Sequence, residues 1–441
     1  MSVGSSNPWA ARYASLLDRE MLKQRAIVTV PSIEGLQSMP IETACKTLER
    51  GLKTVFYPTN QCLDILYRFV GMAHAHCLEK YPSPKDFLAG IYAEEAPLQE
   101  FSPPICFTGL PGTGKTKILK ALNRILDFET HLTFDDHSPF RLRGPWYVTV
   151  KAKNTPNDIF RSLVHVNGSL ADLIKKSRRN AYRDGVSFLF ADEFQFATGS
   201  GQANTRVSQM LLSLAYLGLP FIFAANFSLC YRLLKRPKEE RDRLLSKVIV
   251  LLPDHPESDD WLDTLRALQA VAPEILVFEV EKDAADLHRW SAGLKRALVE
   301  LIMIAFRDVH PRGGKIDRSA LKRAYESMDF AQHRNDVEIL ATQAIQNRPG
   351  TKSKDLWCPF PLPKETAESF TELAKGQRDQ KFAEAELEAS MNAEERKALQ
   401  AFEKTQKKGE KTGGTVTPIK RKPVPTAEDL KNNANWFKDL L

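Results

Sequence analysis

The chain has 441 residues, 43% hydrophobic and 27% charged, with a formal net charge of +7. That leaves room for two to three domains around a sizeable core and excludes a small scaffold held only by staples. The mild basic excess suits a nucleic-acid partner without requiring one, and the absence of any C-x-x-C pair among Cys45, Cys62, Cys77, Cys106, Cys230 and Cys358 gives neither a zinc ribbon nor a disulfide framework.

Residues 1–55 read as an N-terminal arm, with a mobile start through Gly4, Ser5, Ser6, Asn7 and Pro8 and a short helix over 10–22. After Tyr57-Pro58, Thr59 caps a helix in which Leu63, Leu66, Phe69, Val70, Ala73 and Cys77 recur at helical spacing, a face that should pack on a core. His74, His76 and Cys77 lie in this helix, but only residues three or four apart share a face, so they do not converge on a metal.

Residues 105–108 form an apolar strand that leads into Gly109-Leu110-Pro111-Gly112-Thr113-Gly114-Lys115-Thr116, and a helical pattern follows over 117–126. Strand, G-x-x-x-x-G-K-T and helix make a phosphate-binding loop. Glycines let backbone N–H groups approach a polyphosphate without Cβ atoms in the way. Lys115 reaches the β- and γ-phosphates of a nucleotide, Thr116 ligates Mg²⁺, and the helix points its positive end at the anion. Gly109, Pro111, Gly112, Thr113, Gly114, Lys115 and Thr116 are therefore the expected nucleotide-binding residues.

Short strands then alternate with helices, as a parallel α/β sheet requires. Strand 146–150 and helices near 157–164 and 170–181 precede a buried run over 186–191 that ends in Asp192-Glu193. Such a strand delivers Asp192 to the sheet's carboxyl edge, where it holds Mg²⁺, while Glu193 polarises the attacking water. After an amphipathic helix over 205–217, the strand 220–226 ends in Asn226, a candidate sensor between γ-phosphate and water. A helical stretch over 229–245, broken at Pro237, carries Arg241 and Arg243 before the strand 248–252. In an assembly, a planar guanidinium here spreads transition-state charge on a neighbour's γ-phosphate.

Residues 256–348 read as a small helical lid, from which Arg296 touches the nucleotide. Beyond 349 the chain turns polar and charged, with exposed helix over 364–406 and a flexible linker. It closes with Leu430, Trp436, Phe437, Leu440 and Leu441, a small apolar docking face on a tether. Between the two anchors lie Arg141, Arg143, Lys151, Lys153, Lys175, Lys176, Arg178 and Arg179, a basic concentration suited to phosphates rather than bases. Lys151, Lys153, Arg178 and Arg179 are the expected DNA contacts. The longest apolar run, residues 214–225, is shorter than the ~20 residues of a membrane span, and 1–30 lack a signal-peptide core, so a cytoplasmic location is expected.

The order of phosphate loop, Asp192-Glu193, Asn226, arginine-bearing helix and lid resembles that of AAA+ ATPases, and no N-K-x-D guanine-reading sequence argues for GTP. Among them the chain resembles the TnsC/TniB group of transposition regulators, similar in role to MuB, through residues 57–59, 106–116 and 188–194. The resemblance implies a P-loop parallel sheet flanked by helices over residues 56–255, with ATP-dependent assembly as a ring or filament on double-stranded DNA. It also implies a link between a target-selection protein and a transposase, with hydrolysis controlling disassembly. Two other readings stay open: an AAA+ ATPase that remodels a protein, and an ATP-gated scaffold in which hydrolysis has little role.

Overall fold

In a computed structural model, the described residues are 7–128, 130–134, 137–151, 154–192, 203–350 and 353–390. The seven strands described are β1 (Ile105–Gly109), β2 (Thr130–Phe134), β3 (His137–Leu142), β4 (Trp146–Thr149), β5 (Leu189–Asp192), β6 (Phe221–Asn226) and β7 (Lys247–Leu251). Five of them form one sheet in the order β4-β5-β6-β1-β7, and every pairing in it is parallel. The central strands are buried along nearly their whole length, which is why they read as unbroken apolar runs rather than alternating ones. Helices cross between them over Lys115–Leu126, Pro156–Val164, Leu170–Arg183, Ala203–Ala215, Phe227–Leu234 and Lys238–Leu244. Thr155 and Asp158 close a capping box at the second of these helices, and Ser169 caps the third.

Two features go beyond the sequence reading. The strands β2 and β3 form an antiparallel hairpin with a register shift between Leu132 and Phe134. Most of its residues are exposed or only partly buried, so neither hydrophobic period stands out in the sequence.

The second lies in the segment expected as an arm, whose described residues 7–55 are divided between two hydrophobic clusters. Trp9 and Tyr13 are fully buried, and Trp9 packs its ring on Tyr81 at 5.5 Å and Phe87 at 4.9 Å. The helix Asn60–Lys80, capped by Thr59, lies in the same core. The helix Ile41–Thr54 instead joins the lid, placing Leu48 and Leu52 in one cluster with Trp261, Leu265, Leu298 and Phe306. A two-toothed ion pair from Arg307 to Glu42 (2.7 and 3.1 Å) reinforces it. The chain enters this excursion at Val28 and leaves at Phe56, and those two residues pair side by side in an antiparallel bridge. The rest of the lid is built from Asp259–Gln269, Val280–Ser291, Lys295–Val309, Arg318–Glu326 and Ala331–Gln346.

Two histidines sit uncharged in these interiors. Burial pushes His76 and His288 down to about 4, with Lys80 adding to the effect at His76 and a bond to the Asp254 carbonyl opposing it at His288. A folded-state value below the unfolded one means that the unfolded chain binds more protons between pH 6.5 and 4, so stability is full above about pH 6.5 and falls as pH drops towards 4. The full loss is about 3 kcal/mol for each histidine. Denaturant midpoints measured across this window should fall steeply, and a His288→Asn variant should flatten the fall; a level profile in the parent protein would refute this account.

The chain divides into Met1–Lys375 and Gly376–Leu441. The described part of the second unit, residues 376–390, belongs to the polar helix Lys364–Ser390. The expected docking face at 426–441 lies outside the described residues. Among the described residues no helix is long and apolar enough to cross a membrane.

Candidate nucleotide site

Parallel pairing aligns the carboxyl ends of the strands. Gly109 lies opposite both Asn226 of β6 and Leu251 of β7, while Asp192 ends β5 opposite Thr149. The phosphate loop, the acidic strand end and the candidate sensor thus share one edge of the sheet, where ligands of open α/β folds bind.

The loop itself turns through Gly112 (φ 91°) and Gly114 (φ 109°), left-handed conformations that strain any residue with a Cβ. A Cβ at Gly112 would also stand 3.0 Å from the Cβ of Arg296. The lid rests directly on the loop, because the Arg296 N–H donates to the Gly112 carbonyl at 3.2 Å. Lys115 is 8% exposed, and its ammonium donates to the carbonyls of Gly109 and Leu110, both at 2.8 Å. The Thr113 hydroxyl donates to Leu110 at 2.9 Å. Pro111 and Thr116 are half-buried beside them.

Asp192 is buried and accepts a bond from the Tyr147 hydroxyl at 3.0 Å. Tyr147 carries no local sequence signal beyond its place in the strand expected over 146–150; its contact with Asp192 depends on the pairing of β4 with β5. Asn226 takes the N-cap position of Phe227–Leu234 but makes no side-chain capping bond, so helix capping does not account for it. Glu193, the expected base, lies outside the described residues, as does Lys153.

Other cations ring the loop's flank. Lys295 pairs with Asp254 at 3.3 Å, and Lys117 donates to the Val55 carbonyl at 2.8 Å. Burial, reinforced by Lys295 and Lys120, pushes Lys117 down to about 8. The side chain of Arg296 is exposed, so its described contact with the loop is through the backbone.

Arg241 and Arg243 lie on Lys238–Leu244, which leads into the amino end of β7. Arg241 pairs with Asp242 at 3.5 Å, and Arg243 stands 5.6 Å over the Phe101 ring, just before β1. That is the edge opposite the chain's own phosphate loop.

Among the described residues, the expected DNA contacts Lys151, Arg178 and Arg179 do not form one surface. Lys151 is exposed just past the carboxyl end of β4. Arg178 sits near the opposite edge, its guanidinium bonded to the carbonyls of Leu98, Gln99 and Tyr216 at 2.7–2.9 Å. Arg179, the next residue, is exposed.

No protein-family model matches the chain, and no curated protein matches it. Among solved structures, the chain is similar to Cdc6p from Pyrobaculum aerophilum, with 15% identity, TM-score 0.36, and coverage of 62% of this chain and 73% of that one. It is also similar to the Aeropyrum pernix ORC1 protein in complex with DNA (13%, 0.35, 62% and 77%). A third is Drosophila ORC bound to DNA (14%, 0.37, 82% and 92%). With its strand order β4-β5-β6-β1-β7 and a glycine loop after β1, the chain has a parallel sheet flanked by helices, typical of the AAA+ P-loop fold.

Proposed function

We propose that the chain is an AAA+ ATPase that assembles on double-stranded DNA with ATP and connects a target-selection protein to a transposase. The observation that carries the ATPase reading is the meeting of phosphate loop, Asp192 and Asn226 at one sheet edge, with the lid bonded to Gly112. The residues fit a triphosphate: the turn needs glycine at two positive-φ positions, and a lysine ammonium is held within the loop. Thr116 and Asp192 would hold Mg²⁺, which when bound supplies charge neutralisation at the phosphates.

In this reading Lys115 binds and orients the phosphates, Asn226 positions water and Glu193 accepts its proton. Arg241 or Arg243 acts on a neighbouring subunit's nucleotide, in keeping with their distance along the fold from their own loop. The lid reports occupancy through Arg296. Lys151, Lys153 and Arg179 contact DNA phosphates. Hydrolysis disassembles the oligomer and so limits where the transposase is recruited.

Imaging of the protein with duplex DNA and a slowly hydrolysed ATP analogue tests the reading. Rings or filaments that need both support it, whereas nucleotide-driven assembly indifferent to DNA would favour a remodeller of proteins. Glu193→Gln should keep ATP binding and DNA-bound oligomers while turnover drops by about 10²-fold or more, the scale for losing general-base help. Rapid hydrolysis by that variant would remove Glu193 from the role.

A further inference from the structure

At the amino edge of the sheet, across the molecule from the phosphate loop, a cleft of about 240 Å³ is lined by Pro139, Phe140, Arg141, Arg143, Arg183 and Asp184. The edge is fixed by pairing: the segments entering β4 and β5 run side by side, with Arg143 N–H donating to the Asp184 carbonyl at 2.7 Å and Trp146 N–H to Phe188 at 2.9 Å. Among the lining residues Arg143 and Arg183 share one aspartate, Asp184, and Arg141 stands beside them. Asp184 is nearly buried and is shared by Nε of Arg183 at 2.7 Å and Nε of Arg143 at 3.4 Å, while both arginine side chains are about half exposed. Arg12 braces the cleft from behind, donating to the carbonyls of Arg143 (2.9 Å) and Gly185.

A stripe of charge runs into the cleft. Lys175, Arg179 and Arg183 are exposed at four-residue spacing on Leu170–Arg183, one face of the helix that extends about 12 Å. Lys175 also lies 3.7 Å from Glu94. A single phosphate needs one cleft. A linear stripe ending in a cleft of planar forks fits a polymer with anions at regular intervals, and guanidinium matches phosphate oxygens two at a time.

We propose that this cleft and stripe form a phosphate-tracking surface for duplex DNA, separate from Lys151 past β4's carboxyl end. The inference rests on the DNA-binding reading above. Its contacts are to the backbone and carry no sequence preference.

The test uses full-length protein with a slowly hydrolysed ATP analogue and a fluorescent duplex of mixed sequence, titrated at several salt concentrations. Arg143→Ala/Arg183→Ala should weaken binding about 10-fold or more and make the log–log salt slope shallower by about 1.8, the signature of two lost phosphate contacts. Affinity for a fluorescent nucleotide, whose site lies at the other edge, should not change. Asp184→Asn should tighten DNA binding several-fold, a gain that misfolding cannot produce. If the parent protein binds duplex and the double variant matches it in affinity and slope, the surface is wrong while the DNA reading stands. If the parent binds no duplex, both fall. A double variant that melts early, together with an Asp184→Asn that fails to tighten, overturns the proposal. Polyglutamate that displaces duplex at equal charge concentration overturns it too and assigns the cleft to an acidic polypeptide.

Discussion

Trp9→Ala will destabilise the protein by about 3–5 kcal/mol, the usual loss for emptying a buried aromatic site. Trp9 is fully buried and meets Tyr81, Phe87 and Phe134 at ring distances of 5.5, 4.9 and 6.4 Å. Set against the 5–15 kcal/mol typical of a folded domain, about a fifth or more of the stability depends on one side chain near the start of the chain. Trp9→Phe should lose far less, within about 1.5 kcal/mol, because it keeps most of the ring volume and removes an indole N–H that has no hydrogen-bond partner among the described residues. Thermal and denaturant melts of both variants check this. If Trp9→Ala melts with the parent protein, the segment is a dispensable arm after all.

Lys115→Ala should lower ATP turnover by about 10²–10³-fold or more, the scale for removing one donor aimed at developing charge. Fold and function separate here by magnitude. The ammonium also holds the loop through Gly109 and Leu110, so its removal should destabilise by about 1–3 kcal/mol. A protein that still melts cooperatively a few degrees lower yet neither binds a fluorescent ATP analogue nor turns over ATP meets the expectation. Retained nucleotide affinity would show that the loop's backbone alone carries the phosphates.

What the sequence made legible follows from local physics. The strands β1, β5 and β6 are buried along almost all their length, so composition alone marks them, and the loop's glycines stand where the backbone requires them. Pro237 breaks the helical stretch where expected, at the N-cap of Lys238–Leu244. Arg178 shows the limit: an arginine bonded to three carbonyls from two distant segments has the same local sequence signature as a solvated one. Tyr147 beside Asp192 and the helix Ile41–Thr54 beside Arg307 escaped notice for the same reason, since each depends on a partner far along the chain.

The bridge between Val28 and Phe56 bears on how the protein is made. Glu42 precedes its partner Arg307 by 265 residues. At ribosomal speeds of about 5–20 residues per second, the helix Ile41–Thr54 waits roughly 15 s to a minute before the rest of its core emerges. Throughout that interval its apolar face has no lid to cover it. Pairing at Phe56 keeps the waiting helix beside the segment that enters the other core through Asn60–Lys80, so a nascent chain stalled before residue 259 should draw chaperones to residues 41–54.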